Sequence, residues 1–257
     1  MTEFKSWKSY SIFANEVVSY NRFSHNHETE SFLRALAESS NKRIKHIKTG
    51  STFWRAQLGC NYRPFEENGE ILFEEQVPYS EDRMIPVHNK AKDGRANVKG
   101  IPYLYLSTKR KTALSEVRPW VGSIVTLALF KTLRELKLVD CSIHGNTKIP
   151  YLLGEEPNSD IREEFVWKHI DNAFSRPVTQ ADDSAEYIPT QIIAEIFKNN
   201  GMDGLFYKSN FGTGLNIVLF DLTIAKFIKS CLFKTESIKL NFKECPTTII
   251  TYRRKKA

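Results

Sequence analysis

Cysteine is scarce in this 257-residue chain, and the few present do not cluster. Cys60, Cys141, Cys231 and Cys245 lie far apart with no C-x-x-C pair. A zinc ribbon or finger is therefore not expected, and the thiols fit a reducing, cytoplasmic setting. No apolar run approaches the length of a membrane span, and the start, MTEFKSWKSY, lacks a signal-peptide core. The chain is expected to be soluble and intracellular. There is no strand–G-x-G-x-x-G–helix unit, and Gly212-Thr213-Gly214 is too short to act as one, which disfavours a Rossmann oxidoreductase. Ser209 is not in a G-x-S-x-G elbow, so it makes a poor hydrolase nucleophile. His25-Asn26-His27 has no carboxylate or cysteine placed to complete a metal site, and no metal is expected.

What the chain does have is an ordinary globular composition, 41% hydrophobic and 26% charged, with a formal net charge of +7. One sizeable core is expected rather than disorder. The basic balance favours anionic partners, from nucleotides to nucleic acid to an acidic protein, without choosing among them. Part of the excess is local, in Lys42-Arg43, Lys109-Arg110-Lys111 and Arg253-Arg254-Lys255-Lys256. Such runs usually form solvated faces. A nucleic-acid-binding or nuclease-like protein is a rival reading, but no helix-turn-helix, RNA-binding aromatic motif or metal-carboxylate cluster supports it.

Hydrophobic periodicity divides the chain. Residues 1–48 read as a helical extension, with Trp7, Tyr10, Phe13, Val17 and Val18, then Phe32, Leu33, Leu36 and Ala37, at helical spacing. Ser51 to Leu58 reads as a strand. Residues 60–92 read as a long connection holding one short strand near Ile71 to Phe73. Strands are expected over 123–129 and 136–139, and a helix over 160–174, started by Asp160 with Glu163 in a capping-box pattern. A second helix, 187–201, has Pro189 in its first turn and Gly201 at its exit. Two strands, 203–209 and 215–221, then form a close pair. A last strand is expected at 248–252.

The stretch from Gly94 to Pro119 concentrates the polar chemistry. Gly94 and Gly100 frame a loop carrying Arg95 and Asn97. Tyr103, Tyr105 and Ser107 share one strand face and Leu104 and Leu106 the other. Thr108 can cap the short helix that follows, which Pro119 stops. Glu116 falls near that helix's C-terminus, where the dipole disfavours a carboxylate by a few tenths of a kcal/mol, roughly. A surface salt bridge to Arg118 or a lysine is the bland account of it. Arg55, inside an aromatic strand, needs an anionic partner if buried. That partner is either a core glutamate or a phosphate, which a guanidinium grips in bidentate fashion. Ser209, at a strand end, ordinarily satisfies backbone groups.

These segments resemble the RES-domain family, named for an arginine, a glutamate and a serine. The residues that carry the resemblance are W-R-A at 54–56, G-R-x-N-x-x-G-x-P-x-x-Y from Gly94 to Tyr105, A-L-x-E ending at Glu116, G-x-D-G-L-x-Y-x-S ending at Ser209, and G-x-N-I-V-L-F from Gly214 to Phe220. The resemblance covers roughly residues 50 to 221. Ala96 stands where the family often has an aromatic, and both the helical extension and the 60–92 connection are additions. The resemblance implies an α+β, ADP-ribosyltransferase-like core of small antiparallel sheets flanked by helices, over 49–257. It implies NAD as a substrate whose nicotinamide–ribose bond is broken without a metal. It implies Glu116, Arg55 and Tyr105 as catalytic residues, and Arg55, Arg95, Tyr105, Ser209 and Asn216 as the NAD-binding set. It further implies a toxin neutralised by a DNA-binding antitoxin protein. A homo-oligomer is compatible with the sequence, and an inactive NAD-binding module on the same fold is the remaining alternative.

Overall fold

A computed structural model describes residues 3–143, 156–176, 184–242 and 244. The expected strand at 248–252 and Cys245 lie outside the described residues. The elements run α1 (Ser9–Ser19), α2 (His27–Ser40), β1 (Ile44–Ile47), β2 (Thr52–Leu58), β3 (Asn61–Glu67), β4 (Glu70–Val77), α3 (Glu81–Met84), β5 (Leu104–Ser107) and α4 (Arg110–Glu116). They continue with β6 (Ile124–Thr132), β7 (Leu136–Asp140), α5 (Ser159–Ser175), α6 (Ile188–Asn199), β8 (Gly204–Lys208), β9 (Leu215–Leu219) and β10 (Ala225–Lys234). The chain adopts the expected α+β class with helices at its N-terminus. Among the described residues no helix is long and apolar enough to cross a membrane.

Eight strands form one sheet in the order β1-β7-β8-β9-β5-β2-β6-β10, and β3 and β4 form a separate ribbon. Among the described strands of the sheet only β7 and β8 pair in parallel. Alternation along the strands sorts the apolar residues onto two faces. Tyr103, Leu205, Tyr207 and Val218 join the helices α1, α2, α5 and α6 in one core cluster. Leu104, Leu106, Phe206, Ile217 and Leu219 join Phe53, Ala128 and Phe130 in a second. The two-face reading of 103–107 therefore holds.

The sheet is not evenly closed. β2 pairs along its whole length with β6, but meets β5 at a single residue pair, Trp54 with Ser107. The two strands splay apart beyond that point.

Several local expectations change. The connection 60–92 contains a full hairpin, β3–β4, turned by Asn68 and Gly69 with φ of 53° and 83°. An Asn-Gly pair with both residues left-handed is the favoured two-residue hairpin turn. Residues 44–47 are a strand paired with 136–139, not part of the helical extension. β10 was not expected at all. The helix α5 is capped by Asn158, whose side chain accepts from the Ile161 N–H at 3.0 Å, rather than by Asp160. Thr108 does not cap α4; its hydroxyl accepts from Leu215 N–H at 2.9 Å instead, tying the helix entry to β9.

The N-terminal helices share the core of the sheet. Phe13 stacks on Phe32 at 4.6 Å, and Trp7 leans on Phe165 and His169 of α5. The indole N–H of Trp167 donates to Ser39 Oγ at 2.7 Å. Phe13 is 1% exposed, so Phe13→Ala should lower the unfolding free energy of the whole chain by about 3–5 kcal/mol. Chemical denaturation followed by one global probe tests this; an unchanged midpoint would mean that α1 docks without contributing to the fold.

Candidate active site

The gap between β2 and β5 is a cavity of about 220 Å³ lined by Trp54, Arg55, Ala56, Tyr105, Leu106, Ser107, Ala113, Glu116, Val117, Tyr207 and Asn216. It adjoins an open cleft of about 900 Å³ that also touches Arg55, Ala56, Tyr105 and Val117, and reaches outward to Arg83, Lys90 and Lys92. Pockets that hold whole small-molecule ligands are generally about 300–1,000 Å³. The cavity alone falls below that range, and the cleft it opens into lies within it.

Glu116 ends α4 and points into the cavity. Ser209 Oγ and Asn216 Nδ2 both donate to its Oε1, each at 2.6 Å. Asn216 is itself oriented, because its Oδ1 accepts from Ser107 Oγ at 2.8 Å. With the carbonyl oxygen engaged there, the amide N–H groups must face the carboxylate. Ser209 Oγ in turn accepts from Phe211 N–H at 3.0 Å. Two charge-assisted hydrogen bonds offset the unfavourable helix end. Among the described residues no salt bridge holds Glu116: the bonds to its carboxylate come from neutral side chains. The helix is set by close packing on the loop before β9. Thr112 Oγ1 accepts from Gly214 N–H at 3.2 Å, and a Cβ at Gly214 would meet that oxygen at 2.6 Å.

Arg55 sits across the gap. Its Nη1 donates to the Tyr105 carbonyl at 3.1 Å, bridging the splayed strands. Its Nε is buried and has no partner among the described residues. Burial holds the guanidinium below the ordinary arginine value, at about 10, and the nearby charge of Arg83 acts in the same direction. Among the described residues no glutamate pairs with it.

Tyr105 is held from both ends. Its hydroxyl donates to Asn97 Oδ1 at 2.7 Å and accepts from Ala96 N–H at 3.1 Å. Burial pushes the phenol well above its usual range. The loop that receives it is pinned by Gln191, whose Nε2 donates to Gly94 O at 3.0 Å and Asn97 O at 2.9 Å. A Cβ at Gly94 would approach the Tyr105 hydroxyl to 2.6 Å, so the loop closes on the phenol only with glycine there.

The structure thus brings Arg55, Tyr105, Glu116 and Asn216 to one cavity, with Ser209 behind the carboxylate. It does not bring Arg95 there: that guanidinium donates to the Phe174 carbonyl at the end of α5. Trp54, Ser107, Asn97, Gln191 and Tyr207 were not among the expected site residues. Trp54 and Tyr207 were flagged within the motifs but given no role. Gln191 stands on α6, four residues after Tyr187, a spacing visible in the sequence that carried no assigned role. Among the described residues there is no group of three metal-ligating side chains.

The RES domain family model matches residues 71–241, and the chain belongs to that family. The match includes Arg95, Tyr105, Glu116, Ser209 and Asn216 and begins after Arg55. No curated protein matches the sequence. Among solved structures, a chain of the crystal structure of the M. tuberculosis MbcT-MbcA toxin-antitoxin complex is similar, with a TM-score of 0.40 and 14% identity, covering 77% of this chain and 92% of that one.

A buried cation without an anion costs stability, and an apolar residue of similar length should remove that cost. Arg55→Met should raise unfolding stability at neutral pH by on the order of 1 kcal/mol. The sign follows from a folded pKa of about 10 lying below the ordinary value. The penalty is complete below both values and is relieved only as pH rises through the folded one, so the gain should shrink above about pH 10. A destabilised Arg55→Met in denaturant titrations would show that the bond to the Tyr105 carbonyl outweighs the burial.

Proposed function

We propose that this chain is a NAD-consuming toxin that breaks the nicotinamide–ribose bond in the β2–β5 cavity. The observation that carries the reading is the pairing of two charges around one space that, among the described residues, nothing neutralises: a carboxylate braced by neutral donors, and a guanidinium whose buried Nε lacks an acceptor. NAD offers the complement of each. Its pyrophosphate suits Arg55. Its ribose develops positive charge at C1′ as the bond to the nicotinamide nitrogen breaks, as in other glycosyl transfers, and Glu116 would stabilise that charge.

In this reading the cationic nicotinamide lies in the small cavity against the Tyr105 ring, gaining stacking and cation–π attraction. The ring leaves as neutral nicotinamide with the bonding pair, and C1′ takes an oxygen from water, from phosphate or from a protein side chain. Ser209 and Asn216 act by fixing Glu116 beside the ribose. The pyrophosphate is held by Arg55, while Arg95 serves the loop that cups Tyr105. Because a free enzyme of this kind harms its own cell, a neutralising partner is part of the proposal, a DNA-binding antitoxin acting in the same cytoplasm.

Purified protein should release nicotinamide from NAD. Glu116→Gln preserves shape and removes charge; its turnover should fall on the order of 10²-fold or more. Arg55→Ala should instead weaken NAD binding by about 2–5 kcal/mol, with Arg55→Lys recovering part of it, since an ammonium lacks the planar fork. Intact NAD with every acceptor tried, together with binding or cutting of nucleic acid, would transfer the assignment to the nucleic-acid reading.

The cellular counterpart is expression in a heterologous bacterium. The wild-type chain should arrest growth as cellular NAD falls, Glu116→Gln should not, and co-expression of the neighbouring gene should restore growth. Good expression with normal growth and normal NAD would favour an inactive binding module.

A further inference from the structure

The β3–β4 ribbon leaves the body of the chain as an arm. Every residue of β3 is exposed, and so is every residue of β4 except Val77. An isolated two-stranded ribbon is marginal in water, yet the base of this one is firmly tied. The Tyr79 hydroxyl donates to Leu58 O at 3.2 Å, Tyr79 N–H donates to Thr126 Oγ1 at 3.2 Å, and that hydroxyl donates to Gly59 O at 2.9 Å. Above the base, Tyr62, Phe65, Ile71, Leu72 and Phe73 face solvent, with Phe65 and Phe73 stacked at 4.9 Å. Contiguous exposed apolar surface of this kind marks an interaction site.

Charge narrows the occupant. Residues 61–77 carry five glutamates and one arginine inside a chain of net +7. An acidic arm repels nucleic acid and suits a basic surface. Edge chemistry narrows it further. Pro64 removes an N–H from β3, whereas β4 runs eight residues without proline, its outer edge unpaired. The matching edge is on this same chain. β10 ends the eight-stranded sheet, is ten residues long without proline, and exposes Lys226, Lys229 and Lys234. Lysines on an edge repel a like edge and so prevent indiscriminate pairing. Facing an acidic strand they become cross-strand partners instead. The opposite sheet edge, β1, is only four residues long, and its Lys45 already lies 3.6 Å from Asp140.

We propose that the arm is a dimerisation element: β4 of one copy pairs along the free edge of β10 in a second copy, and receives the same contact in return. Main-chain hydrogen bonds supply the attraction, as in other strand additions, and the glutamate–lysine pairing sets the register and excludes like edges.

The full chain should therefore show, by light scattering or sedimentation equilibrium, a mass twice the 29.7 kDa of one copy, falling toward one copy as salt is raised. Glu70→Lys with Glu74→Lys, and separately Lys226→Glu with Lys229→Glu, change exposed side chains only. Glu75 is left alone because it pairs with Arg63 within the arm at 2.6 Å. Each double variant should dimerise more than tenfold more weakly. Mixed together, the two should recover a heterodimer, because each interface then again joins opposite charges. A wild-type chain that stays monomeric at every concentration overturns the proposal, as does a dimer indifferent to both reversals. The test reads mass alone, so its outcome is separate from that of the NAD assays.

Discussion

Everything about the site follows from how little joins β2 to β5. One residue pair, Trp54 with Ser107, closes the sheet at that point. Strands that part from a single contact leave main-chain groups facing a space rather than a neighbour, and such groups need other partners. One solution is Arg55, which reaches across to the Tyr105 carbonyl. Ser107 is the hinge of the arrangement. Its backbone aligns with Trp54 on one side and Asn216 on the other, while its hydroxyl orients the Asn216 amide. From there the bonds run to Glu116 and on to Ser209. A displacement of the β2–β5 contact would therefore disturb the carboxylate and the cation together.

The polar residues around the cavity fall into two kinds. Asn97, Gln191, Ser107 and Asn216 are fully engaged and hold backbone or one another. Arg55 and Glu116 line the same cavity without neutralising each other, one bonded to a carbonyl and the other to neutral donors. Structural ion pairs do the opposite, as Arg134 does with Asp203 at 2.6 Å. Opposite charges kept apart in a shared cavity cost stability and are the usual signature of groups reserved for a ligand.

How much of this was legible depended on whether the cause was local. The alternation of Tyr103 to Ser107 is local, and by itself it places Leu104 and Leu106 on one face and the tyrosines on the other, as the fold does. The Asn68-Gly69 turn is local too, and an Asn-Gly pair between two short strand-like runs is the signature of the hairpin the structure has there. β10 and β1 were hidden because both are edge strands, half exposed and carrying lysine, three in β10 and one in β1, so their hydrophobic period is weak. The caps were misassigned for another reason. Thr108 and Asp160 are good capping types, but tertiary contacts drew Thr108 to Leu215, and Asn158 was two residues better placed. Arg95 shows the firmest limit. Its motif neighbours put it beside Tyr105, but which way a long side chain turns is decided by the carbonyl it finds, here that of Phe174 across the fold.

The choice of donors around Glu116 bears directly on the proposed chemistry. A lysine or arginine in place of Ser209 or Asn216 would hold the carboxylate equally well at the helix end. It would also cancel much of its field at the cavity. Two neutral donors on Oε1 fix the group's position and leave its net charge in place. A reaction that builds positive charge on a ribose gains from a fixed, uncancelled anion, because no reorganisation is needed at the transition state. A lone carboxylate would suit any cation; a second charge held at a distance adds a preference for a ligand that also carries an anionic group. Arg55 across the gap, with its buried Nε short of an acceptor among the described residues, supplies that second charge. The two together match a molecule that is cationic at one end and doubly anionic a few bonds away.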